Sequence, residues 1–172
     1  MKDKKYVYHG SPTRSFEIAT PKRNIRSQIS KTTGEITNIF DDISFHATPY
    51  KWIGLAYTYD PKRYKIEGRI SRYNVGVSLY DNNKRITIFG YESLEKSLGK
   101  LYGDGGYLYV FDKNKFFHKQ GLGNLEVITK EPIEPLLIEK IDDPVKELKM
   151  LGVEFEYVDL SKLENEQYRN YI

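Results

Sequence analysis

The stretch "ISFHATPYKWIGLAYTY" (Ile43 to Tyr59) carries a strand, Ile43 to Ala47, into a helix. Thr48 and Pro49 stand where an N-cap and a first helical residue are favoured. Trp52 with Ala56, and Ile53 with Tyr57, repeat at the i,i+4 spacing of one buried helical face. Asp60-Pro61 ends the run, so the helix is short.

Upstream, "YVYHGSP" (Tyr6 to Pro12) reads as a short buried strand that stops at His9. Gly10, Ser11 and Pro12 are turn formers. Two readings stay open here: a plain turn, or a ligand site in which Gly10 admits a ligand to the backbone and His9 contacts it. From Thr13 to Asp42 the pattern is lost; the segment is polar and basic, broken by Pro21 and Gly34. A connection of that length is usually functional or mobile.

Downstream, "SRYNVGVSLYD" and "RITIFGY" read as strands flanking Asn82-Asn83. "SLEKSLGKLYG" reads as a helix capped by Ser93 and stopped by Gly103. After the turn "GDGG" come three strands: "YLYVFD", "NLEVIT" and "PLLIEKI". Asp143-Pro144 opens a helix that Gly152 stops, "VEFEYVDL" is a half-exposed strand, and "SKLENEQYRNYI" is a closing helix. Strands dominate, helices are short, and the order is not the alternation of a parallel α/β fold. The expected class is α+β with a mainly antiparallel core, in one domain over 1–172.

The chain has 172 residues, 39% hydrophobic and 14% aromatic, with 27 basic against 24 acidic residues. That suffices for a core without staples, and a net charge of +3 is too small by itself to argue nucleic-acid binding. The absence of cysteine excludes disulfides, thiolate metal sites and a cysteine nucleophile, and three histidines make a protein-only zinc site a poor expectation. The start "MKDKKYVYHG" has no apolar signal core and no stretch has the length of a membrane span, so a soluble, cytoplasmic protein is expected.

Three places put polar groups at strand ends: His9-Gly10-Ser11; Phe45-His46-Ala47-Thr48 with the tyrosine-bearing helix after it; and Glu126, which opens an apolar strand after "GLGN". Each has an ordinary alternative. His46 can be a satisfied core histidine, the tyrosines can be core, and Glu126 can sit on a solvated strand face. Their order, "YHGS", then "SFHATPYKWIGLAYTY", then "NLEVIT", resembles the ADP-ribosyltransferase superfamily, in the His–Tyr–Glu branch of diphtheria toxin and the poly(ADP-ribose) polymerases. "GYLYVFDKNKFF" also looks like a strand of small bacterial and phage members.

The resemblance implies a split, mainly antiparallel sheet core with short flanking helices, and NAD as substrate, with no metal. It implies that His9 holds the ribose next to adenine, that the Gly10 backbone holds the nicotinamide amide, and that Ser11 assists there. Phe45 falls where the family usually has its stacking tyrosine, with His46 beside it and without the hydroxyl, and Tyr57 falls on the second stacking position. Glu126 would bond the nicotinamide ribose and stabilise the cation formed as the glycosidic bond breaks. Arg14, Lys22, Arg23 and Arg26 are candidates for the pyrophosphate, Arg23 and Arg26 foremost. No Glu-x-Glu or Gln-x-Glu pair is present, which argues against arginine as the target and leaves protein, nucleic acid, a small molecule or water as acceptor. The implied partners extend to an antitoxin or inhibitor. The competing expectations are an inactive nucleotide- or protein-binding module of the same fold, a metal-independent ribonuclease using His9, His46 or His118, and an interaction protein with no pocket.

Overall fold

In a computed structural model, residues 2–162 are described except 4, 30–32, 34, 67–68 and 73, and at 28–29, 63–66 and 69–72 the backbone alone. The elements run β1 (Tyr6–Ser11), β2 (Lys22–Ile29), β3 (Ile36–Ala47), α1 (Lys51–Ala56), β4 (Arg63–Ile66), β5 (Arg69–Arg72), β6 (Asn74–Tyr80), β7 (Asn83–Gly90), α2 (Leu94–Tyr102), β8 (Gly106–Asp112), β9 (Val127–Thr129), β10 (Leu137–Ile141), α3 (Pro144–Met150) and β11 (Val153–Asp159). The fold is α+β, its strands mostly antiparallel and its helices few and short. Three three-stranded sheets, β1-β8-β10, β11-β7-β6 and β2-β3-β9, accompany the two-stranded ribbon β4-β5.

β8 is the organising strand because both of its faces are apolar. Leu108 faces a core built with Tyr8, Trp52, Leu55, Ile86, Ile88 and Leu101. Tyr109 and Phe111 face a second, aromatic core with Val7, Ala47 and Phe116. A strand buried on both sides reads as a continuous apolar run, as "YLYVF" does. Each such side chain contributes about 1.5–3 kcal/mol on burial.

Several boundaries follow local chemistry. Ser93 Oγ accepts from Lys96 N–H at 3.3 Å to cap α2. Asp143 accepts from Lys146 N–H with Pro144 at the first helical position of α3. Gly152, at φ +73°, leaves α3 in the left-handed region that only glycine adopts freely. No helix among the described residues is long and apolar enough to cross a membrane.

Other expectations are corrected. Thr13 to Asp42 is not one loop: β2 and β3 form a long antiparallel pair with an irregularity between Arg26 and Ser27. Its apolar residues Ile25, Ile36, Ile39 and Ile43 are exposed and interrupted by charged ones, so no buried face marked it in the sequence, and the pairing satisfies the backbone whatever the side chains are. The N-cap of α1 is Tyr50 with no side-chain cap bond, while Thr48 is claimed by β1 through two backbone bonds to Tyr8. The helix ends at Ala56. The β6–β7 turn is Asp81-Asn82, at φ 46° and 64°, one residue earlier than Asn82-Asn83. β11 pairs with β7 in parallel, against the antiparallel majority. The expected closing helix falls, from residue 163 on, outside the described residues.

Candidate active site

Just past the end of β3, Thr48 forms an isolated bridge with Tyr8 of β1, in which each backbone N–H donates to the other residue's carbonyl at 2.8 and 2.9 Å. Beside that bridge lies a pocket of about 530 Å³, inside the range of about 300–1,000 Å³ usual for ligand sites. His9, Gly10, Arg26, His46, Tyr57 and Glu126 line it, with Ile53, Tyr59, Val77 and Leu125 supplying apolar wall.

Strand alternation explains what Gly10 offers. Tyr8 turns its N–H and C=O toward Thr48, so those of Gly10, two residues on, point to the same edge, past the bridge. On its other side Gly10 lets α1 approach: a Cβ there would lie 1.9 Å from the Gly54 carbonyl oxygen.

Glu126 stands immediately before β9, whose Val127 pairs with Ala47 of β3. Its Oε2 accepts from Arg26 Nη2 at 2.6 Å and from His46 Nδ1 at 3.3 Å. His46 Nε2 lies 3.1 Å from Ser44 Oγ on the same face of β3. With Nδ1–H directed at the carboxylate, Nε2 accepts from the serine hydroxyl. Ser44 is buried, so this serine orients the imidazole and is not an exposed nucleophile. Burial raises the Glu126 carboxyl; the hydrogen bonds from His46 and then Arg26 outweigh it, and the group is held below its ordinary 4.5. The Arg26 and Glu126 side chains keep 40% and 28% of their surface exposed, so both remain available to a ligand. Tyr57 closes α1 at the pocket wall; burial and then the charge of Glu126 raise its phenol.

His9 borders the pocket, but its ring packs on Phe45 at 4.7 Å and Phe16 at 5.8 Å. Its Nδ1–H donates to the His46 carbonyl at 2.9 Å, which fixes the tautomer and ties β1 to β3. Burial pushes its pKa below the ordinary 6.5 in spite of that bond. Below about pH 6.5 the unfolded chain therefore takes up a proton that the folded chain resists. Stability from this group is complete above 6.5 and is lost as pH falls toward the folded value. The thermal unfolding midpoint should drop between about pH 7.5 and 5.5, and the drop should shrink in His9→Gln.

Ser11, Arg14, Lys22, Arg23 and Phe45, all expected at the site, do not line the pocket. Phe45, one position from His46, faces the opposite side of β3 and joins His9, Phe16, Phe111 and Phe116. Arg23 lies on the outer face of the hairpin in a two-bonded pair with Asp41 at 3.0 and 2.8 Å. Ser11 Oγ is buried against Ser15 Oγ at 3.3 Å and serves the turn. His118 is exposed and does not line the pocket, so the three histidines do not meet. Restoring the hydroxyl with Phe45→Tyr should lower stability by about 1–3 kcal/mol, since the new O–H enters an aromatic core. The unfolding midpoint should fall by about 2–12 °C, and a gain in pocket-ligand affinity would contradict this placement.

No protein-family model, curated protein or solved structure matches the chain. The site is therefore read from its own geometry. Ser44 was legible as the residue two before His46 on one strand face. Val77 was not, because only the packing of β6 brings it to the pocket.

Proposed function

We propose that this chain is an ADP-ribosyltransferase-like enzyme that cleaves the nicotinamide N-glycosidic bond of NAD and transfers ADP-ribose to an acceptor. One observation carries the reading: Gly10, His46, Tyr57 and Glu126, from segments separated by up to most of the chain, line one pocket. The isolated bridge between Tyr8 of β1 and Thr48, just past β3, supports a split-sheet fold of that superfamily.

The donor set fits the dinucleotide. The outward N–H and C=O of Gly10 offer the complementary pair that an amide needs, and Tyr57 offers a ring for stacking. Arg26 supplies a planar fork for the pyrophosphate. Leaving of nicotinamide takes the electron pair of the C–N bond and generates an oxocarbenium-like C1′. Glu126, ionised throughout the neutral range, stabilises that charge, with Oε2 held by Arg26 and His46 and Oε1 turned to no protein donor in the described bonds. The acceptor then bonds to C1′ and releases its proton.

Titration with NAD⁺ tests binding. At about 100 times Kd, stabilisation should reach about 2.7 kcal/mol, or about 5–11 °C in the unfolding midpoint. Nicotinamide release measured by chromatography tests turnover. Binding with no release under any acceptor would instead leave an inactive nucleotide-binding module.

A further inference from the structure

His46 is joined to two walls of the pocket at once. Its backbone carbonyl accepts from His9 Nδ1 at 2.9 Å, which ties it to β1. Its side chain meets the segment before β9, where Nδ1 lies 3.3 Å from Glu126 Oε2. A change of side chain at this position leaves the first link in place and removes only the second. Both ring nitrogens are committed. An ionised carboxylate only accepts, so Nδ1 carries its proton toward Glu126, and Nε2 takes the Ser44 hydroxyl at 3.1 Å. The Phe40 ring stands nearly edge-on to the imidazole, 5.5 Å away between centroids, and limits its rotation. The ring borders the pocket, yet it keeps neither a lone pair nor an N–H for a ligand or for proton transfer.

Arg26 also reaches Glu126 Oε2, at 2.6 Å, but it is less fixed. Its side chain is 40% exposed against 20% for His46, and the same guanidinium is the one offered to the diphosphate. A donor shared between carboxylate and substrate cannot by itself set the direction of the carboxylate. His46 can, because Ser44 and Phe40 hold it from its own strand.

We propose that His46 is the positioning residue of this site: held by Ser44 and Phe40, it aims Glu126 so that Oε1 is left for C1′, and it does not itself touch the reacting atoms. This rests on the enzymatic reading above. It gives the pocket side of β3 a hydrogen bond that Phe45, one position away, has no group to make. Three groups face Glu126: His46 from β3, Arg26 from β2 and Tyr57 from the end of α1. Farther along β3, Lys119 and Lys130 are engaged by Asp42. Burial raises the Glu126 carboxyl, and the bond from His46 is the largest influence opposing it, ahead of Arg26. Without that bond the carboxyl rises, and the acid limb of nicotinamide release moves to higher pH.

Steady-state nicotinamide release from NAD⁺ compares the wild type with His46→Ala, His46→Asn and Ser44→Ala, with the thermal unfolding midpoint as the control for folding. Misplacing a reacting group by 1 Å costs about 10²-fold, so His46→Ala should lose about that much in kcat with KM little changed. Its acid limb should shift upward. His46→Asn keeps an N–H donor near the place of Nδ1, so it should regain most of the rate and the low acid limb. Ser44→Ala should show a smaller loss in the same direction. Carbon-13 NMR of the Glu126 carboxyl, assigned by its absence in Glu126→Gln, reads the contact without NAD⁺: its pKa should rise in His46→Ala and stay low in His46→Asn. With nicotinamide released by the wild type, a loss confined to KM, equal impairment of both His46 variants, or a carboxyl indifferent to His46→Ala overturns the positioning role and leaves the enzymatic reading standing. A carboxyl that responds to His46→Ala in a protein that releases no nicotinamide overturns the enzymatic reading, and the positioning role falls with it.

Discussion

Glu126→Ala should reduce nicotinamide release from NAD⁺ by about 10³-fold, since removing one preorganised stabiliser of developing charge costs about 10²–10³ and here a full charge is lost. Glu126→Gln should lose as much, because it keeps the shape and hydrogen bonding but not the charge. Both variants should still bind NAD⁺, since Gly10, Tyr57 and Arg26 are untouched. Folding should change little: the pair with Arg26 is partly exposed, and such pairs are worth about 0–1 kcal/mol. The pH profile gives a second readout. The carboxyl is held below 4.5, and the ionised form is the active one, so turnover should persist down to that pH before its acid limb begins. Wild-type turnover in Glu126→Gln would end the proposed mechanism.

Gly10→Ala should be the most damaging single change to stability. The added methyl would meet the Gly54 carbonyl oxygen at 1.9 Å, the Tyr57 carbonyl carbon at 2.8 Å and the Thr58 amide nitrogen at 2.9 Å. All three are backbone, so no rotamer relieves the clash and β1 must part from α1. Overpacking costs about 1–3 kcal/mol and sometimes more, and this position belongs at or above the top of that range. A fall of about 6–12 °C in the unfolding midpoint is expected. Gly99→Ala is the matched control: it lies inside α2 with nothing within 4 Å of the added Cβ. It should stabilise by about 0.5–1 kcal/mol. Equal midpoints for the two variants would contradict the close approach of helix and strand.

The contrast between these glycines shows where residue patterns stop being informative. Local chemistry is written in neighbours: Ser93 before α2, Asp143-Pro144 before α3, Gly152 after it, and the doubly apolar β8 were all readable, because caps, turns and burial runs act within a few residues. The α+β class followed from the same short-range signals. The β2–β3 hairpin was not readable, since its stability comes from a partner strand and its isoleucines, Ile25, Ile36, Ile39 and Ile43, are exposed among charged residues and mark no buried face. The same limit governs the site. His9, Gly10, His46, Tyr57 and Glu126 could be nominated as residues, but the side of β3 that faces the pocket could not. One position of strand parity separates His46, beside Glu126, from Phe45, inside the aromatic core. Register likewise sends Arg26 to Glu126 and Arg23 to Asp41. Residue types name the candidates for chemistry; parity, register and the approach of α1 to β1 choose among them, because those depend on contacts between segments that the chain brings together only when folded.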